Sequence, residues 1–456
     1  LTVIEDVLKY IATNEIRWID LQFFDINGTL HKTTLTNRKI EEESFGKGVH
    51  VGDLNEVFGK SAQGELSLLP DPDTMARLPW EPATIRLMCD VVASVSGEKF
   101  LKDSRYVSER IETNLEAAGI KSCKVGSSLE CYMFDTVTTD RTAPGRGTGT
   151  VLDSREATWG PSPLSSIRRG AWVSQPYDSM YAARVQVCET MEDSFGMSVD
   201  AHMHGRSATS QQLFEMNEKP LKTAADAVAT LKFVIRNLSN AVNSSSTFMP
   251  YPIEGEMGNG MDIAVSLWKA ADNNLFYEGK DDYAQLSQNG LYYIGGLLEH
   301  ASALSLFTAP TPNSYRRLAV DPPVLGWSAV DPNALVRVPQ FKKNAKDSKR
   351  VVYAGGDPSA NTHLAMATIV AAGLDGIKSK IDPGEPVESE KKSKRAVKPL
   401  PASLYEAIEA LESDTKFIKG VVPSELLGDY LDMKLEEHKR ERKALSGYEL
   451  ERYYNV

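Results

Sequence analysis

Long apolar runs are the first thing missing. No stretch of about 18 apolar residues occurs among the 456, so no membrane-spanning helix is expected. Cysteine is scarce as well. Cys89, Cys123, Cys131 and Cys188 have no CxxC spacing and read as reduced thiols of a cytoplasmic protein. Residues 1–20 carry acids within their apolar pattern and lack a signal-peptide layout. An excess of positive charge is absent too. The formal net charge is −11, and basic residues gather only near the C-terminus, which argues against nucleic acid as a partner. No internal repeat is visible. FGKSA (58–62) has no glycine five residues before Gly59, so it cannot form a phosphate-cradling loop. GRGTG (145–149) misses the dinucleotide spacing, and neither a GxSxG elbow nor an HExxH helix occurs.

What remains has the composition of a soluble globular protein long enough for two or three domains. Helical spacing covers 1–13, 104–120, 178–196, 223–243, 293–306 and 362–374. Strand patterns flank a turn at Asn27-Gly28 and recur near 83–92, 128–135, 198–204 and 261–266. Residues 136–170, rich in Thr, Gly, Ser and Arg, read as long loops, and 385–401 as a charged, solvated linker. Strands and helices without a regular βαβ alternation predict an α+β fold.

Several segments resemble the type I glutamine synthetase family. LLPDPDTMARLPW (68–80) is similar to its PDP…LPW stretch, and VGSSLECYMFD (125–135) stands where it has Gly-x-Glu-x-Glu-Phe. TFMPYPIEGEMGNGMDIAVSLWK (247–269) resembles TFMPKP…GSGMHVHQSLWK, and the stretch ending NSYRRL (313–318) resembles NSYKRL. GDPSANTHLAMATIVAAGLDGI (356–377) and the C-terminal segment follow in the same order. The resemblance implies a small N-terminal β-grasp domain over 1–100 and a large catalytic-type domain of antiparallel strands with helices over 101–456. The latter holds the charged loop 381–401 and a helical tail, 403–456. It also implies hexameric rings stacked as a dodecamer. The family's reaction passes the γ-phosphate of ATP to the side-chain carboxylate of glutamate, and ammonia then displaces phosphate. Two divalent cations and several arginines offset the anionic charge.

The resemblance implies six metal-ligand positions, of which only Glu130 is identical. Aligned without gaps on VEASHHEVAPGQHEI, VDAHMHGRSATSQQL puts Gly205 and Gln212 where glutamates stand. Ser128, Asp262 and Val352 fall on the remaining positions. At most one weak Mg²⁺ or Mn²⁺ site is expected, from Glu130 with Asp262 and Gln212. His202 and His204 are expected to pack or hydrogen-bond rather than ligate. The family loop RLVPGYEAPV is RLAVDPPV here, without its glutamate, which leaves the reach of Asp321 open. Val330, Pro332, Ala354 and Tyr251 stand where cationic residues are implied, and Met257 where an asparagine is. Arg317, Arg337 and Arg350 persist, with Gly258, Gly260 and Ser266. They read either as a residual substrate or nucleotide pocket or as packing residues.

These losses lead to the expectation of a pseudoenzyme, a structural or regulatory ring protein that is not an enzyme. It would require no cofactor, have little capacity for ATP, and assemble with itself or with an active glutamine synthetase paralogue. The alternatives are an ATP-dependent glutamate–ammonia or γ-glutamyl–amine ligase with a rebuilt site, and a non-catalytic nucleotide or amino-acid sensor.

Overall fold

The computed structural model describes residues 3–59, 64–140, 142, 149–157, 159, 170–279, 283–340, 344–388 and 398–456. Most of FGKSA, of GRGTG and of the charged run 385–401 lies outside these residues, as does much of 136–170. Among the described residues, no helix is long and apolar enough to cross a membrane.

The chain opens with helix α1 (Val3–Thr13) and the hairpin β1 (Trp18–Phe24) and β2 (Leu30–Thr36). Short helices α2 (Ser44–Lys47) and α3 (Asn55–Phe58) lead to β3 (Leu66–Pro70), β4 (Ala76–Arg77) and β5 (Thr84–Ala93). These strands form one sheet in the order β2-β1-β5-β3, with β4 also on β5. β5 is buried along its whole length because both of its faces are covered. Ile85, Leu87, Cys89 and Val91 join the small core under α1, while Arg86 and Asp90 alternate onto the face that meets the rest of the chain.

The second body contains α4 (Ser104–Ala117), β6 (Ser122–Phe134), β7 (Thr136–Asp140), β8 (Gly149–Asp153), α5 (Tyr181–Phe195), β9 (Val199–His204) and β10 (Gln211–Pro220). It continues through α6 (Leu221–Ala241), β11 (Ser245–Thr247), β12 (Met261–Ala270), β13 (Asn273–Asn274), α7 (Gln288–Glu299), α8 (Ala301–Thr308) and α9 (Pro312–Val320). β14 (Val324–Ser328), β15 (Ala334–Arg337) and β16 (Val351–Tyr353) precede α10 (Thr362–Ser379), α11 (Leu404–Ser413), α12 (Ser424–Lys443) and α13 (Gly447–Tyr453). The large sheet runs β14-β15-β16-β12-β6-β10-β9, antiparallel except for β14 on β15. The expected α+β architecture, a small grasp-like sheet beside a large antiparallel sheet with helices, is therefore present.

Three local expectations change. Residues 136–140 and 149–153 form a paired ribbon rather than plain loop. β10 (Gln211–Pro220) is a strand where none was expected. The helix expected over 293–306 is two helices, α7 and α8, meeting at His300. α7 crosses α10 at van der Waals distance: a Cβ on Gly296 would lie 2.2 Å from the Ala372 carbonyl oxygen.

His300 ties this junction to α10 and to the end of α11. Its Nδ1 lies 2.6 Å from Asp414 Oδ2, its Nε2 lies 3.1 Å from Asp375 Oδ2, and its ring stacks on Phe417. Burial opposes the charge on the ring, but the two carboxylates outweigh it and hold the pKa above the ordinary 6.5. A pKa raised by folding stabilises fully below the unfolded value, and the stabilisation is lost as pH rises through the folded value. His300→Gln is therefore expected to cost about 2 kcal/mol below the ordinary imidazole range and progressively less above it. Urea denaturation of both proteins across pH measures the difference, and a pH-independent gap would refute the charged state of His300.

Candidate active site

A cavity of about 470 Å³ opens where one face of the large sheet meets the turns after β9 and α9. The register of the strands assembles its floor. Ser128 and Glu130 are two apart on β6 and share a face. Glu215 on β10 and Asp262 on β12 both pair with Ser128, so the three make one cross-strand row. The next row runs Ala264, Val352, Arg337, which sets Arg337 diagonally beside Asp262, and the two side chains form an ion pair.

Glu130 is buried, and its Oε2 accepts the N–H of Gly260 at 2.6 Å. Burial pushes its carboxyl up to about 7, against the pull of that hydrogen bond and of the Arg206 and Arg317 charges. Arg317 enters from the last turn of α9 and donates from Nη2 to the Gly355 carbonyl at 3.1 Å. Gly258 makes room for it, because a Cβ there would lie 2.5 Å from Arg317 Cγ and 2.6 Å from the Pro250 oxygen. Arg206 and Asp321 meet across the mouth at 2.7 Å, each partly exposed. Burial opposes the charge of Arg206, but Glu130, Asp321 and Asp262 together raise its pKa.

The structure thus brings Glu130, Asp262, Arg317, Arg337, Ser128 and Gly205 to one cavity. Gly258 supports it from behind. Arg350 and Ser266 do not line it: Arg350 pairs with Glu218 at 3.0 Å, and Ser266 accepts the Trp268 indole N–H at 3.0 Å. Val352 is buried in the strand between Asp262 and Arg337 without lining the cavity.

Gln212 requires a correction. The ungapped alignment places it beside Glu130, but the residue paired with Glu130 is Leu213, while Gln212 pairs with Cys131. One residue of register reverses the face. Gln212 accepts a hydrogen bond from the buried Arg184 of α5, whose Nη2 also binds Asp178 at 2.6 Å. His202 accepts from Arg184 Nε at 3.2 Å, and buried His204 lies 3.2 Å from Glu156.

Asp321 reaches the cavity wall despite the shortened loop. Sequence reasoning missed Arg206, Glu215 and Trp172. Glu215 shares the face of Leu213, two residues before it on β10, and the register that placed Gln212 beside Glu130 would have turned it away. Arg206 and Trp172 carry no local signal, because tertiary contact alone brings their turns to the cavity.

Residues 101–453 match the family model of the glutamine synthetase catalytic domain, and residues 15–94 match that of the glutamine synthetase beta-Grasp domain. The chain belongs to the glutamine synthetase family. A glutamine synthetase of Sulfolobus acidocaldarius is 38% identical over 95% of this chain and 94% of its own length. One of Rhizobium meliloti is 33% identical over the full length of both. The fold matches the cryo-EM structure of Plasmodium falciparum glutamine synthetase with a TM-score of 0.89 at 23% identity, over 100% of this chain and 99% of that one.

These full-length relatives overturn the expectation of a pseudoenzyme. The view that the chain is not an enzyme, and the view that it requires no cofactor and has little use for ATP, fall with it. The ligase alternative fits them instead. Of the positions expected to have lost ligands, Ser128, Gly205 and Asp262 line the cavity, while Gln212 and Val352 do not. The expected grouping of Glu130, Asp262 and Gln212 does not assemble, because Arg337 engages Asp262 and Gln212 lies on the other face. Among the described residues, no three His, Cys, Asp or Glu side chains are grouped to hold a metal. The side chains present therefore do not fit a preformed two-cation cage of the kind the family resemblance implies.

Proposed function

We propose that this chain is an ATP-dependent ligase that joins ammonia or another small amine to the γ-carboxylate of glutamate, using a rebuilt phosphoryl site. The observation that carries the reading is the convergence of Arg206, Arg317 and Arg337 beside Glu130 in one cavity. The similarity to glutamine synthetases along the whole chain supports it. In such a reaction a γ-carboxylate oxygen attacks the terminal phosphorus of ATP and ADP leaves. The amine nitrogen then attacks the acyl carbon, phosphate leaves, and the amine gives up a proton.

The residues of this chain supply charge and position. The guanidinium groups gather two anions that repel each other in water, each offering planar paired donors to carboxylate or phosphate oxygens. The Gly258 backbone fixes where Arg317 enters, and Asp321 at the mouth is the carboxylate available to the proton of the amine.

The same reading carries a division of the chain near residue 100 and self-assembly into hexameric rings. Exposed apolar side chains at Tyr448, Leu450 and Tyr453 on α13 support association. It also carries a cytoplasmic location, supported by four free cysteines.

The test is phosphate release with ATP, glutamate and ammonium or methylamine, in Mg²⁺ and then Mn²⁺. A Glu130→Ala variant purified identically controls for contaminating host synthetase. Turnover that disappears in the variant is expected. Phosphate release no greater than in the variant, with either amine, would refute the ligase reading.

A further inference from the structure

Two of the four carboxylates that line the cavity are held in ion pairs by its arginines, and a third, Glu130, accepts a backbone N–H. Asp262 is ion-paired with Arg337, and Asp321 with Arg206 at 2.7 Å. Glu130 Oε2 and Arg317 Nη1 both lie over Gly260, 3.3 and 3.9 Å from where its Cβ would stand. Arg206 lines the same cavity as Glu130 and Asp262, whose negative charge favours its protonated form. Four lining carboxylates, with Glu215, therefore share space with three guanidinium groups. A divalent cation collects several oxygens around itself. To do so here it would have to strip carboxylates from arginines and then sit beside the charges it displaced, which Coulomb repulsion disfavours. A nucleoside triphosphate changes the balance, because it brings its own oxygens to the cation and offers the arginines an anion.

We propose that Arg206, Arg317 and Arg337 are the resident positive charge of the cavity, and that this chain takes up a divalent cation only as its nucleotide complex. The inference rests on the ligase reading in so far as a nucleotide enters this cavity. Its first half stands on the side chains alone.

Equilibrium dialysis of the full chain against Mn²⁺, with and without the non-hydrolysable β,γ-imido analogue of ATP, tests it without reference to turnover. Mn²⁺ alone is expected to distribute equally across the membrane, and with the analogue it is expected to be retained together with the nucleotide. Arg337→Ala frees Asp262 and removes one unit of repulsion, so it is expected to retain Mn²⁺ without nucleotide where the wild type retains none. Arg206→Gln is expected to act in the same direction and serves if the first variant fails to fold. Saturable retention of Mn²⁺ alone by the wild type would overturn the inference and leave the ligase reading standing. Retention in neither condition would overturn the nucleotide half, and absence of phosphate release would then remove the ligase reading independently.

Discussion

Replacing Arg105 with alanine is expected to destabilise the chain by about 3–5 kcal/mol, the cost of leaving buried carboxylates without their counter-charge. Arg105 is fully buried in the first turn of α4. Its Nη1 meets Asp90 at 2.5 Å, its Nη2 meets Asp71 at 3.0 Å and Asp226 at 2.8 Å, and its Nε donates to the other oxygen of Asp226 at 3.1 Å. Asp71 and Asp90 belong to the small sheet and its approach, and Asp226 to α6, so one side chain joins the two bodies of the fold. Burial opposes ionisation of Asp226, but Arg105 and His363 hold its carboxyl far below the usual carboxylate range. Arg105→Lys is expected to recover only part of the loss, because a single ammonium cannot reproduce the planar fork that reaches three carboxylates. Urea denaturation of wild type and both variants measures this. An alanine variant as stable as wild type would mean that the network contributes nothing net.

The second large effect is on turnover. Arg317→Ala is expected to lower kcat/KM for glutamate by about 10²–10³-fold, the usual result of removing one positioned electrostatic group. Gly258→Ala is expected to move activity in the same direction without touching any charge, since its methyl would collide with the Arg317 side chain. Steady-state kinetics beside thermal melts separates this from unfolding. A melt close to wild type with unchanged kinetics would place Arg317 outside the substrate site.

The family match was legible because long segments such as NSYRRL and GDPSANTHLAMATIVAAGLDGI carry helix starts, close helix crossings and core faces that repeat in order. The ligand losses were legible for the same reason. Reading them as loss of function was the error, since it counted what each position lacked and not what other parts of the chain brought to the cavity. Arg206 sits beside Gly205 in the sequence, yet only the turn after β9 carries it to the mouth opposite Asp321. Gln212 failed for a smaller reason: one residue of register on β10 put Leu213 beside Glu130 and turned the amide toward Arg184.

By itself the sequence determined the α+β class and most of the elements, which follow from local periodicity. The resemblance of its segments to the glutamine synthetase family singled out Glu130, Arg317 and Arg337, which the structure places in one cavity. The charge balance of the cavity was decided by the tertiary structure, because it depends on which guanidinium meets which carboxylate. Asp262 and Arg337 are 75 residues apart, and Arg206 and Asp321 are 115 apart. Strand register and loop path set those distances, and no local pattern encodes them.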